Sequence, residues 1–208
     1  MFNTRAKKER SLGTSLTLKP FRGSGPKAAI NRRPVRPGQH GAKRRRAGSE
    51  YSEQLAEKQK FQFSYGLREK NVRRLFKAAA KSGHEAIGKS FLSLLERRLD
   101  NTVYRLGLAP SRSVARQMIG HGHILVNGRR IKSSSHQVKI GYKIQIRDTS
   151  LKSVMFENLE EQLKESDRPV WLTLDLKTKE GTVVALPLEV ETPFDISKVV
   201  DYYSKIIK

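Results

Sequence analysis

Ser111-Arg-Ser-Val-Ala-Arg-Gln-Met-Ile-Gly-His-Gly-His-Ile-Leu-Val-Asn-Gly-Arg-Arg130 is the stretch on which the fold turns. Ser111 offers an N-cap hydroxyl, and Val114, Ala115, Met118 and Ile119 recur at helical spacing, so a short helix starts here. Ile124-Leu-Val126 then reads as a strand, and Asn127-Gly128 is the strongest short signal for a hairpin turn. Arg112 and Arg116 stand one helical turn apart, and Arg129 and Arg130 follow the hairpin. Like charges at that helical spacing repel, so the helix pair costs stability unless an anion sits between them. Cations held at fixed places select a polyanion of particular shape, whereas mobile ones bind any polyanion.

Outward from this stretch the charge pattern repeats the message. From Gly107 to Arg147 there are eight Lys or Arg and no Asp or Glu. The net charge of the 208-residue chain is +22, split as +13 over residues 1–48, +5 over 49–106, +8 over 107–147 and −4 over 148–208. Such self-repulsion is rarely needed by an enzyme of small anions; a polyphosphate partner supplies the counter-charge. With no cysteine, disulfides and thiolate metal sites are excluded. No apolar run approaches the ~20 residues of a membrane span, and the Arg-rich start lacks the apolar stretch of a secretory signal, so the expected location is the cytoplasm.

The rest of the chain divides by composition. Residues 1–48 are an extended basic arm rich in Gly and Pro, with too few apolar anchors to order by itself, although Pro37-Gly-Gln-His-Gly41 specifies a turn. Residues 49–92 read as a helical domain completed by a last helix over 193–208. Ser49 caps a first helix to about Tyr65, and Val72, Leu75, Phe76 and Ala79 line a second over about 69–82. Arg73, Arg74 and Lys77 fall outside that apolar stripe. A third helix is predicted from Ser90 to Leu106, burying Phe91, Leu94, Leu95, Leu99 and Val103, with Arg98 and Arg105 on one flank. Residues 93–192 read as an α+β domain, with strands over 124–126, 137–146 (turning near Gly141), 170–174 and 182–186. Asp195 caps the last helix, whose Ile196, Val199, Val200, Tyr203 and Ile207 must dock on the N-terminal helices. The expected fold class is α+β: a mostly helical domain with an inserted α+β domain built on a small, mainly antiparallel sheet.

Leu95-Glu-Arg-Arg-Leu-Asp-Asn-Thr-Val-Tyr-Arg-Leu-Gly107, joined to the 111–130 segment, resembles the RNA-binding domain of the bacterial-type ribosomal protein S4 family. Pro37-Gly-Gln-His-Gly41, Ser49-Glu-Tyr51, Arg168-Pro-Val-Trp-Leu172 and Tyr203-Ser-Lys205 resemble that family outside the domain, so the likeness spans essentially the whole chain. The resemblance implies a structural, non-enzymatic ribosomal protein that binds small-subunit (16S-type) ribosomal RNA at a multi-helix junction of the 5′ region and nucleates assembly of the subunit body. By position it implies junction contacts from Arg97, Arg98, Arg105, Arg112, Arg116, His121, Arg129 and Arg130. It implies that Lys43, Arg44, Arg45 and Arg46 in the arm face messenger RNA where it enters the subunit, and that a neighbouring protein, ribosomal protein S5, is touched at an interface that influences decoding accuracy. Many relatives hold the arm with a four-cysteine zinc site; Ala6, Glu9, Gly23 and Ala28 stand there in this chain, so no metal or other cofactor is expected.

The same residues admit competing readings. His121-Gly-His123 has no third ligand near it in sequence and makes a poor metal site. Gly120 and Gly122 lack the third glycine and the following helix of a dinucleotide loop. Arg98-Leu-Asp100 is similar to the setting of the catalytic Asp of pseudouridine synthases, but too little chain remains for a catalytic fold, and Asp100 reads as an orienter of arginines. Trp171, Phe61 and Phe63 read as packing residues. Two alternatives use the same domain: an RNA-modifying enzyme, and a stand-alone RNA-binding regulator.

Overall fold

The computed structural model describes residues 7–16, 18, 28–43, 48–81, 87–153, 156–157, 159, 163, 167–188, 190 and 192–206. Among them the elements run α1 (Lys7–Leu12), α2 (Ala29–Arg32), α3 (Glu50–Ser64), α4 (Glu69–Lys81), α5 (Ile87–Glu96), α6 (Leu99–Arg105), α7 (Arg112–His121), β1 (Ile124–Val126), β2 (Arg129–Arg130), β3 (Lys143–Ile146), α8 (Asp148–Leu151), β4 (Leu172–Asp175), β5 (Glu180–Val183) and α9 (Ile196–Ile206). The chain forms two compact units, Met1–Phe91 with Val190–Lys208, and Leu92–Glu189. It is an α+β fold.

In the first unit the core is aromatic. Phe61 of α3 stacks on Phe91 with ring centroids 5.1 Å apart and meets Phe194 edge-on at 5.3 Å. Phe76 of α4 packs edge-on against Phe91 at 5.5 Å and at a tilt against Tyr203 of α9 at 5.3 Å. Such pairs add about 0.5–1.5 kcal/mol each beyond the area they bury. Ser49 caps α3 by accepting from the Ser52 amide at 3.3 Å, and Asp195 caps α9 by accepting from the Ser197 amide at 2.9 Å. The apolar stripe of α9 docks on α3 through Val199, Tyr202 and Tyr203, flanked by Lys198–Glu53 and Lys205–Glu50 ion pairs. Tyr202 takes an inward place that the helical spacing did not give it, and Ile207 lies outside the described residues.

The described part of the arm carries more local order than its composition predicts. Arg10 donates to the Val35 carbonyl at 3.0 and 2.8 Å, and Arg36 donates back to the Ser11 carbonyl at 2.8 Å. Leu16 and Ala28 are buried, as is Glu9, whose carboxylate accepts the Leu16 amide at 3.1 Å. Burial pushes the Glu9 carboxyl above the ordinary carboxylate range, against the lowering by backbone amides. Guanidinium-to-carbonyl bonds thus close the segment without needing a large apolar core. Of the four positions that the resemblance pairs with zinc-binding cysteines, Ala6 and Gly23 lie outside the described residues.

The second unit holds a five-stranded sheet of order β2-β1-β3-β5-β4 in which every neighbouring pair is antiparallel. Val103, Leu106, Met118, Ile119, Ile124, Ile144, Trp171 and Val183 share its core with other buried side chains. The Asn127-Gly128 turn has φ of 49° and 74°, and pairs Val126 with Arg129. Asn127 then accepts the Lys143 amide on its side-chain oxygen at 2.8 Å, tying the hairpin to β3. Only the second half of the predicted 137–146 strand forms. Gln137 makes a lone bridge to Arg98, and Gly141 turns with φ 81°.

The helix predicted over 90–106 is two helices, which corrects the placement of Arg98 and Arg105 on one flank. Arg98 is extended at φ −67°, ψ 136° and stands at the N-cap position of α6 without a side-chain capping bond. The Leu99 amide donates to the His136 carbonyl at 2.8 Å, and the Val138 amide to the Arg97 carbonyl at 2.9 Å. A segment some 40 residues later in sequence satisfies backbone groups that a continuous helix would have paired internally.

Candidate nucleic-acid interface

Three buried polar residues at the α5–α6 junction organise the arginines around them. Glu96, 0% exposed, accepts both Nε and Nη2 of Arg105 at 3.0 and 3.2 Å, and the Asn101 side-chain amide at 2.8 Å. Asp100, 1% exposed, accepts Arg98 in a fork at 3.1 and 2.9 Å and Arg116 Nε at 2.7 Å. Asn101 passes the network on, its side-chain oxygen accepting Arg112 Nε at 2.8 Å. Arg112 also lies over the Tyr104 ring at 4.5 Å. Charge-assisted bonds of this kind are short, directional and roughly twice as strong as neutral ones.

The repulsion between Arg112 and Arg116 is therefore relieved from inside the protein, where the sequence alone pointed to an external anion. A carboxylate and an amide take one guanidinium nitrogen each, which orients Arg112 and Arg116 while leaving both only partly buried. Arg105 is likewise partly exposed, its side chain 29% accessible. Arg98 is different. At 4% exposure it braces Asp100 from inside and does not project from a helix flank. Arg97 is half-buried and donates to the Val138 carbonyl at 3.0 Å.

A second group of cations surrounds the end of α7. Gly122 closes that helix in the left-handed region at φ 75°, its amide donating to Ile119 and the His123 amide to Met118, both at 2.9 Å. Arg130 is laid across this cap and donates to the His121 carbonyl at 2.9 Å; a Cβ on Gly122 would sit 1.8 Å from its Nε. Arg129, Arg130 and His121 are exposed. His123 turns inward to Ser150, Nδ1 to Oγ 2.9 Å. Burial first, then the charges of His121, Arg147 and Arg130, push its imidazole below the ordinary histidine range. Among the described residues no group of three or more His, Cys, Asp or Glu is placed to hold a metal ion. No described helix is long and apolar enough to cross a membrane.

Sequence reasoning singled out Asp100 but missed Glu96 and Asn101. The available signal was the interruption itself, since acids and an amide stand among arginines just before a long acid-free stretch. In the arm, Lys43 is exposed, and Arg44, Arg45 and Arg46 lie outside the described residues. Trp171, Phe61 and Phe63 are buried.

This arrangement suits a polyanion, with several guanidiniums held at set places by buried acceptors. Residues 97–144 match the S4 domain family, and residues 2–96 match the ribosomal protein S4/S9 N-terminal domain family. The chain is 45% identical over 198 residues to the small ribosomal subunit protein uS4 of Halothermothrix orenii, covering 94% of each. It is 45% identical over 204 residues to the proteins of the same description in Streptococcus suis and Streptococcus agalactiae, covering 97% of this chain and 96% of theirs.

Proposed function

From its membership of the small ribosomal subunit protein uS4 family, to which this chain belongs, we propose how an RNA-binding structural constituent of the small subunit, which is not an enzyme, engages its RNA. It docks on a multi-helix junction in the 5′ region of 16S-type ribosomal RNA, in the cytoplasm, and nucleates assembly of the subunit body. The observation that carries the reading is the buried Glu96–Asp100–Asn101 set, which holds Arg105, Arg112 and Arg116 at set angles. Those three, with Arg97, His121, Arg129 and Arg130, contact the junction, and Arg98 acts through Asp100 as a positioning residue. Phosphate contacts supply most of the affinity, and the spacing of the cations selects the shape. Lys43, with Arg44, Arg45 and Arg46, faces messenger RNA at its entrance to the subunit. Ribosomal protein S5 is the neighbour whose contact influences decoding accuracy.

The test is a titration of purified protein against 5′-region small-subunit RNA across a salt series, with a backbone footprint. Log affinity falls steeply with log salt, and Arg112→Ala flattens the slope by about 0.7–0.9. An unchanged slope and footprint for that variant would remove Arg112 from the interface. Conversion of uridine by the wild-type protein would instead favour the RNA-modifying alternative.

A further inference from the structure

Asn127-Gly128 is the one place in the chain where Asn precedes Gly; the other asparagines precede Thr, Arg, Val or Leu. That pair carries a chemistry of its own. The Gly128 amide nitrogen can attack the Asn127 carboxamide carbon. A C–N bond forms, the bond to the side-chain nitrogen breaks, and ammonia leaves with the Gly128 amide proton. Water then opens the cyclic imide at either carbonyl and leaves aspartate or isoaspartate. No oxidant, metal or enzyme is needed. Glycine in the second place permits the reaction, since no Cβ obstructs the approach of the backbone nitrogen.

Burial does not suppress it here. Both residues are exposed, and the space beside Gly128 is open, with nothing within 4 Å of where a Cβ would stand. Arg129 and Arg130 follow in sequence, and their positive charge favours the anion formed when the Gly128 amide gives up its proton. Hydrogen bonding is what opposes ring closure. The Asn127 side-chain oxygen accepts the Lys143 amide at 2.8 Å, and the Asn127 amide donates to the Lys143 carbonyl at 2.8 Å. Side chain and backbone of Asn127 are therefore held by one residue of β3, with the backbone in the left-handed region at φ 49°. Swinging the carboxamide over its own following peptide breaks the first bond, and reshaping the turn breaks the second.

The product changes the site in two ways. A carboxylate replaces a neutral amide beside Arg129 and Arg130, and isoaspartate lengthens the main chain by one carbon between β1 and β2. The Val126–Arg129 pairing depends on a tight two-residue turn, so the added atom displaces both arginines.

We propose that Asn127-Gly128 is a spontaneous deamidation site kept unreactive by a latch, the two bonds to Lys143. A chain whose hairpin opens is converted irreversibly to a form with a misplaced Arg129–Arg130 pair. The loss of RNA affinity that follows rests on the ribosomal RNA reading above; the modification and its latch do not.

Full-length protein is aged in mildly alkaline buffer, native and unfolded in urea, and residue 127 is scored by peptide mass and by isoaspartyl methylation. Two bonds of ordinary net strength slow the native protein by roughly 5- to 150-fold relative to the unfolded chain. Lys143→Pro deletes the amide that holds the side-chain oxygen, at the first residue of a strand, where proline is tolerated. It is expected to raise the native rate by about 2- to 12-fold. Lys143→Gln keeps that amide while removing the Lys143–Glu180 ion pair, and should leave the rate unchanged. Unchanged Trp171 unfolding transitions verify that both variants fold, and the comparison of native with unfolded wild type needs neither. Equal rates in those two states overturn the latch, and neither product at residue 127 in either state overturns the site. Aged and fresh wild type are then titrated against small-subunit RNA, where binding should weaken in proportion to the modified fraction. Asn127→Gly, which has no carboxamide and adopts the same turn, should age without that loss. Aged wild type that binds as tightly as fresh overturns the consequence for RNA. Fresh protein that does not bind at all overturns the ribosomal RNA reading and leaves the modification site standing.

Discussion

Asp100→Asn tests whether a buried carboxylate sets the arginine geometry. The side chain is 1% exposed, and each oxygen has two partners: Oδ1 takes Arg98 Nε at 3.1 Å and the Asn101 amide at 2.9 Å, and Oδ2 takes Arg98 Nη2 at 2.9 Å and Arg116 Nε at 2.7 Å. Asparagine can keep the Oδ1 pair but turns an NH2 donor toward the two guanidiniums that used Oδ2. Arg98, 4% exposed, is then a buried charge without compensation. Breaking a buried pair from one side costs about 3–5 kcal/mol, a large share of the 5–15 kcal/mol typical of a native protein. Trp171, the sole tryptophan and buried in the same core, reports unfolding of this unit by fluorescence in urea. Arg116, freed of its brace, must be reordered on RNA. That costs about 0.5–1.5 kcal/mol, or roughly 2- to 12-fold in affinity. Adding Arg98→Met removes the stranded charge, so much of the stability returns while the affinity loss persists. A Trp171 transition within ~0.5 kcal/mol of wild type, together with unchanged RNA affinity, would refute the brace.

Two further outcomes follow from packing and titration. Gly181 of β5 faces Leu106, and a Cβ there would lie 2.5 and 2.7 Å from its two methyl carbons. Gly181→Ala should therefore destabilise the second unit by about 1–3 kcal/mol, read from the same Trp171 transition. For His123 the folded-state pKa lies below the unfolded value of ~6.5. The unfolded chain thus binds the proton first, and stability present above that value is lost as pH falls through the folded-state pKa. His123→Asn should flatten the dependence of Tm on pH in that acidic window and leave it unchanged above pH ~7, as scanning calorimetry would show.

Local chemistry was enough for most of the elements. The Ser49 and Ser111 caps, the Asn127-Gly128 turn, the Val72–Ala79 stripe and the Asp195 start of the last helix all depend on contacts within a few residues, which a sequence displays directly. The charge distribution likewise announced a polyanion, because net charge needs no coordinates. The break at Arg98 was not legible, since the groups that outcompete the helix come from His136 to Val138. Nor was the fate of individual arginines. Arg98 and Arg105 carry the same charge in the same motif, yet one is drawn into the core by Asp100 and the other is held part-exposed by Glu96.

The sequence by itself determined that the 111–130 segment is a basic helix and hairpin facing a polyanion, because capping, periodicity and turn preference are local. Only the tertiary structure decided which cations of that neighbourhood point outward and at what angle. That choice depends on where α6 sets its two buried acceptors, Asp100 and Asn101, against α7, a long-range packing outcome with no local signature.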